Sequence, residues 1–291
     1  MRIAAVILSR HQQGFAKAIA GALLGQDVRP DTVLSVLDRP SPGEADAIRE
    51  AYSGVPGMEH LVVDSLPEIS REPAPGVEPF CAGHCRNLAL EYLDGRYDLA
   101  VFTDGDCIPY RGWLASHVAA CSDGRVTVGR RRETKWFSMD QRQMCADRPV
   151  DIFGGFPRPV ESERYFADSG VTWTCNLGFT PGAVGALREF NSDVYGGRFV
   201  FHPHFTGRWG GEDTFLGVEC FYGGIPVWSA PATGDDGVLH MEHPRPSGKY
   251  DHAGFVIEVE AMRSSLVETL SAMGRWHGGF RSLRELLGEE P

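Results

Sequence analysis

Apolar positions along this chain recur in two periods, and the two alternate in blocks. Arg2 to Ser9 is a β-branched and apolar run bounded by polar residues, the pattern of a buried strand. From Gln12 to Leu24 the apolar positions move to helical spacing, with Phe15, Ile19, Ala22 and Leu23 in register; Gly25 and then Pro30 end the segment. Thr32 to Leu37 predicts a second strand, closed by Asp38-Arg39-Pro40-Ser41, and Pro42 to Ala51 a helix with Ala45, Ile48 and Ala51 inward. His60 to Asp64 predicts a third strand. Strand, helix, strand, helix, strand is the order of a doubly wound parallel sheet. Residues 67 to 83, rich in Pro, Glu and Gly, read as a loop. A helix over His84 to Leu93 and a fourth buried strand from Leu99 to Phe102 follow.

The second half has a different texture. Glycine and aromatics crowd Gly154-Gly155-Phe156 and Tyr195-Gly196-Gly197-Arg198-Phe199, and the next clear helical period is Phe255 to Met273. No internal repeat and no clean linker interrupts the chain. The expectation is one continuous domain over 1–250, with a nucleotide-binding half (1–115) and an acceptor half (116–250), and a helical extension over 251–291.

Composition narrows the function classes. The 291 residues are 42% hydrophobic and 23% charged, with a net charge of −11. An acidic chain disfavours nucleic acid and anionic membranes. The patch Arg130-Arg131-Arg132 with Lys135 is the local exception, and it keeps a DNA acceptor in play. Seven cysteines are scattered through the chain, and the apolar run from Ile3 to Leu8 is too short for a signal peptide, so the expectation is reduced thiols in a cytoplasmic protein. Cys81 and Cys85 flank His84, but the rest of a zinc pattern is missing. No stretch approaches the roughly 18 apolar residues of a membrane span.

The fourth strand ends in Thr103-Asp104-Gly105-Asp106. Carboxylates closing a buried strand are costly unless paired or bound to metal. Asp and Gly also suit a plain turn. The chemical use of such a pair is a hard divalent cation, Mg²⁺ or Mn²⁺, shared with substrate phosphates. Ligands of open α/β sheets sit beyond the carboxyl ends of the strands, where Ser9, Asp38 and Asp104 should converge.

Ordered motifs extend this picture. They are Val6-Ile7-Leu8-Ser9-Arg10, Val36-Leu37-Asp38-Arg39-Pro40-Ser41 and Gly83-His84-Cys85-Arg86-Asn87, then Phe102 to Asp106 followed by Gly112-Trp113-Leu114. Thr174 to Phe179, Trp209-Gly210-Gly211-Glu212-Asp213-Thr214 and His240-Met241-Glu242-His243-Pro244 come later. In that order the chain resembles the family 2 type of GT-A glycosyltransferases, with a Trp-Gly-Gly-Glu-Asp motif similar to that of the galactosyltransferase branch. The resemblance covers most of the first 245 residues. It implies a Rossmann-like GT-A fold with a mostly parallel sheet, a UDP-sugar donor and a divalent metal, Mn²⁺ or Mg²⁺.

It also implies roles. Asp106 would ligate the metal, with Asp104 on ribose or in the outer shell and a late histidine, His243 in preference to His240, completing the set. Ser9, Arg10, Asp38, Arg86, Asn87 and Gly105 would line the nucleotide-sugar site, Asp38 accepting from uracil N3–H or ribose. Asp213 would be the general base of an inverting transfer, since a base must face the acceptor hydroxyl opposite the leaving group. Glu212 would hold an acceptor hydroxyl or cap its helix. Asn176, Trp209 and Gly211 would contact the acceptor, which could be a saccharide, a glycolipid, a peptide or a modified DNA base. Arg39-Pro40 departs from the family's acidic turn, so base recognition is the open point. The competing readings are a nucleotidyltransferase of related topology, which would normally show a Gly-rich basic loop after the first strand, and a non-catalytic sugar-binding module, which intact Asp106 and Asp213 oppose.

Overall fold

Strand β1 (Ile3–Ser9) is buried along its whole length, because helices cover both faces of the sheet it centres. Its alternate side chains divide between two cores. Ile3, Ala5 and Ile7 join one cluster, while Ala4, Val6 and Leu8 join the other. The computed structural model describes residues 1–65, 79–133, 174–207, 210–231, 236–241 and 252–275.

β1 pairs in parallel with β2 (Thr32–Asp38) and with β4 (Leu99–Asp104), and β2 pairs in parallel with β3 (Met58–Val63). The crossover helices are α1 (Ala16–Leu24), α2 (Pro42–Tyr52) and α3 (Ala82–Tyr92). Ser41 Oγ caps α2 by accepting from the Glu44 N–H, with Pro42 in the first turn, so the turn after β2 also starts the helix. α1 is preceded by one 3-10 turn at Gln13–Phe15, so the expected helix from Gln12 forms in two pieces.

Beyond β4 the sheet changes sense. β8 (Leu177–Phe179) runs antiparallel to both β4 and β6 (Val126–Val128), and β9 (Val227–Ser229) extends the edge parallel to β6. The full order is β3-β2-β1-β4-β8-β6-β9. A smaller sheet, β5 (Cys107–Pro109), β10 (Val238–His240) and β7 (Arg131–Glu133), stands over the end of β4 in the order β5-β10-β7.

Four further helices complete the described chain: α4 (Trp113–Ala120), α5 (Pro181–Tyr195), α6 (Glu212–Gly223) and α7 (His252–Ala272). α7 begins three residues before the expected start and does not stand apart. Val259, Leu266 and Leu270 pack with Phe190 of α5 and with Phe215 and Val218 of α6. Among the described residues no helix is long and apolar enough to cross a membrane. All described cysteines carry free thiols.

Candidate active site

The parallel register brings the strand ends together. Asp104 lies beside Leu8 and Ser9 beside Leu37, so β1, β2 and β4 finish at one level. Gly105 fits tightly there. Its N–H donates to Leu8 O at 2.6 Å, and a Cβ on it would stand 2.5 Å from Ser9 Oγ and 2.7 Å from Gln12 Oε1. Only glycine lets the loop after β4 touch the loop after β1.

Asp106 follows and leads into β5. Antiparallel pairing sets Cys107 opposite His240, and Asp106 O accepts from the Met241 N–H at 2.8 Å. His240 Nε2 thereby stands 3.5 Å from Asp106 Oδ2, while the Cys107 thiol reaches Asp106 Oδ1 at 3.3 Å. The sequence favoured His243 as the late histidine. The strand register brings His240 to Asp106; His243 lies outside the described residues.

A buried arginine joins this strand end to α6. Gly83 lets the first turn of α3 approach closely, since a Cβ there would meet Phe201 Cβ at 3.2 Å and Glu212 Cβ at 3.4 Å. Arg86, 2% exposed, donates from Nη2 to Asp104 Oδ1 at 2.7 Å and from Nη1 to Glu212 Oε1 at 3.2 Å. It was expected on the donor; it is held between two carboxylates. Asn87, expected beside it, turns to the backbone, accepting from the Val200 and Phe201 N–H groups and donating to Phe201 O.

Gly210 and Gly211 have φ of +88° and +102°, conformations that favour glycine. A Cβ on Gly211 would stand 2.4 Å from the Phe205 ring. The chain can therefore turn sharply and start α6 at Glu212 and Asp213, acidic residues at the positive end of the helix. Asp213 Oδ1 accepts from the Thr214 N–H at 2.7 Å, and Asp213 is more open to the crevice than buried Glu212. Trp209 lies outside the described residues.

These groups carry more negative than positive charge. Among the described residues Asp104, Asp106, Glu212 and Asp213 are four carboxylates, and the Arg86 cation bridges two of them. Desolvation raises the carboxyls of Asp104, Glu212 and Asp213 above their ordinary values, against the opposing pull of Arg86. Glu212 is pushed up to about 7, with the Asp213 charge adding to burial.

The end of β2 has the opposite balance. Asp38 is 3% exposed and both oxygens are taken: Arg39 Nε donates to Oδ1 at 2.7 Å and Arg39 Nη2 to Oδ2 at 3.0 Å. Arg10 Nη1 stands 3.6 Å from the same Oδ2. Both arginines also donate to Pro79 O. Arg39 reaches this position with φ of +46°, a left-handed backbone that costs a non-glycine residue about 1–2 kcal/mol. The sequence marked Arg39 as a departure, not as the residue that closes over Asp38.

Asn176 is also engaged internally. Its Oδ1 accepts from Trp113 Nε1 at 2.7 Å and from His117 Nε2 at 2.8 Å, and its Nδ2 donates to Arg130 O at 2.7 Å. Because that amide oxygen can only accept, the His117 proton is on Nε2, and Nδ1, 2.7 Å from Thr127 Oγ1, accepts from the hydroxyl; burial holds this imidazole neutral, its pKa lowered to about 4. Asn176, expected to contact the acceptor, thus ties α4, β6 and the turn before β8. In the basic patch, Arg130 Nε faces buried Asp236 at 3.5 Å, and Lys135 lies outside the described residues.

For a metal, the donor set is the test. Among the described residues no group of three or more His, Cys, Asp or Glu side chains forms a metal site. A carboxylate and an imidazole 3.5 Å apart can share one ion. Mg²⁺ and Mn²⁺ suit such a site, since Mg²⁺ commonly binds through one or two protein carboxylates plus phosphate oxygens and water.

No protein-family model and no curated protein matches the sequence. Solved structures do. S. aureus TarS 1-349 in complex with UDP-GlcNAc superposes with a TM-score of 0.59 at 14% identity, covering 99% of this chain and 70% of that one. TarS 1-349 in complex with UDP gives 0.53 at 14% identity, over 95% and 73%. Against a longer S. aureus TarS chain the TM-score is 0.53 at 15% identity, and the match spans 93% of this chain but 43% of that one. At such identities the likeness is one of fold. Together with the mostly parallel sheet and its single reversed strand, it establishes that the chain has the GT-A glycosyltransferase fold.

Proposed function

We propose that the chain is an inverting, metal-dependent glycosyltransferase that moves a sugar from a nucleotide-sugar, a UDP-sugar first among the candidates, to an acceptor hydroxyl. One observation carries the reading: among the described residues, carboxylates gather at the β4 end, with His240 beside Asp106, where open α/β sheets bind their ligands. A cluster held this way is unfavourable alone and favourable around a cation.

Asp106 and His240 would hold the metal, and Asp104, oriented by Arg86, would serve ribose or the outer shell. A divalent ion bound there offsets the charge that develops on the leaving diphosphate. Asp213 takes the proton from the acceptor hydroxyl. It suits that role better than Glu212, which is buried and held by Arg86, because it is the more open of the two. Glu212 and Arg86 hold the first turn of α6 against α3, which fixes Asp213 relative to the donor. Ser9, Arg10 and Gly105 line the nucleotide side, and Gly211 the acceptor side.

The test is a screen of nucleotide-sugars by release of the nucleoside diphosphate, with Mn²⁺ and with EDTA, followed by NMR of the product's anomeric configuration. Metal-dependent release and an inverted product are expected. Release unchanged in EDTA contradicts the metal role, and a retained configuration contradicts Asp213 as base.

A further inference from the structure

The segment that leads into α6 is held from several sides. At its start, Asn87 of α3 accepts from the Val200 and Phe201 N–H groups. Farther along, the Gly207 N–H donates to Phe80 O at 2.8 Å, and the Phe205 ring lies where a Cβ on Gly211 would collide with it. A further hold comes from α7. His204 Nε2 stands 2.8 Å from Glu258 Oε1, and the Glu258 side chain is only 11% exposed. An ionised carboxylate only accepts, so the imidazole donates from Nε2. His204 is tied back into its own turn, where its backbone N–H donates to His202 Nδ1 at 3.1 Å. Aromatic packing carries the contact onward. The Phe205 and His202 ring centroids lie 5.4 and 5.5 Å from that of Phe215 on α6. Phe205, Phe215 and Val259 share one core, so the chain neighbours of His204 and Glu258 pack together with α6.

We propose that Glu258 is a positioning residue: from α7 it holds His204, and through the Phe205 ring against Gly211 it fixes the turn that aims Asp213. The helix expected as a C-terminal extension then belongs to the transfer machinery. The inference rests on the reading of Asp213 as base given above. A base misplaced by about 1 Å costs about 10²-fold in rate, so a hold this far from the reacting atoms still acts on turnover. Nucleotide and metal meet the β4 end, which Glu258 does not touch, so their affinities are spared.

Hydrogen exchange of the full chain, read by mass spectrometry, tests the hold directly. Glu258→Ala and His204→Ala should each speed exchange over residues 210–216 at least about threefold and leave peptides of β1 and α3 unchanged. The double variant should be no faster than either single one, because one contact is lost in all three. Glu258→Gln should restore wild-type exchange, since its amide oxygen still accepts. Either single variant reports the pair, so the test survives if the other fails to fold. Release of UDP from a UDP-sugar should fall at least about tenfold in kcat in Glu258→Ala, with calorimetric UDP affinity in Mn²⁺ within about twofold of wild type. Unchanged exchange over 210–216, additive single effects, or unchanged kcat would overturn the proposal. Faster exchange in a protein whose wild type binds no UDP would remove the nucleotide-sugar reading and leave α7 as the clamp on this turn.

Discussion

Two strand ends of one sheet, β2 and β4, close on aspartates and resolve the same electrostatic problem in opposite ways. At β2 one carboxylate, Asp38, meets two guanidinium groups from its own and the neighbouring turn. At β4, Asp104 and Asp106 meet half of one arginine and a histidine, and α6 adds Glu212 and Asp213 to the same cluster. Charges supplied by the chain complete the first site. Among the described residues the second has more carboxylates than cations, and burial raises three of its carboxyls. An acidic strand end suits an anionic ligand that brings a cation with it, as a metal–nucleoside diphosphate would.

The comparison breaks most sharply at Asp106. Asp106→Ala should remove Mn²⁺-dependent transfer altogether, a loss of at least about 10³-fold in kcat; retained turnover would mean the β4 end is not the metal site. Asp213→Asn should lower kcat about 10²–10⁴-fold while nucleotide affinity stays within the wild-type range, checked by calorimetry beside turnover. Arg86→Ala should cost about 3–5 kcal/mol in urea unfolding, because it strands Asp104 and Glu212 together. A drop below about 1 kcal/mol would show that the pair is solvated in solution.

The smallest effect calibrates the comparison. Glu219 lies two turns beyond Glu212 on α6, fully buried, with the Asn191 amide as its polar neighbour. Burial raises its pKa well above the ordinary value. A raised folded pKa contributes stability that is complete below the unfolded value of about 4.3 and is lost as pH rises toward the folded pKa. Glu219→Gln should therefore gain melting temperature relative to wild type as pH rises above about 4.3, by a few degrees at most. A gap that does not vary with pH would show that Glu219 is ionised or absent from the linkage.

The sequence was most legible where one local period sufficed. β1 through β4 and their helices appeared within a few residues of their observed bounds, because continuous apolar strands alternate there with helical spacing. α5 was missed among aromatics and glycines, although Thr180-Pro181 at its start and left-handed Gly196 at its end are cap signals readable from residue type alone. The carboxylates of the site were legible as motifs. Their partners were not, because partners come from register. The pairing of Cys107 with His240 joins two three-residue strands far apart in the chain, and no local period distinguishes His240 from His243. Asn87 and Asn176 illustrate the reverse: motif asparagines whose amides serve the backbone and neighbouring side chains.

The central claim is that the β4 end binds a divalent ion together with a diphosphate. Electron paramagnetic resonance of Mn²⁺ titrated into the protein, with and without UDP, measures this for wild type and for Asp106→Ala. UDP should tighten Mn²⁺ binding in the wild type and fail to do so in the variant. Equal Mn²⁺ uptake by both proteins, or uptake indifferent to UDP, would contradict the account.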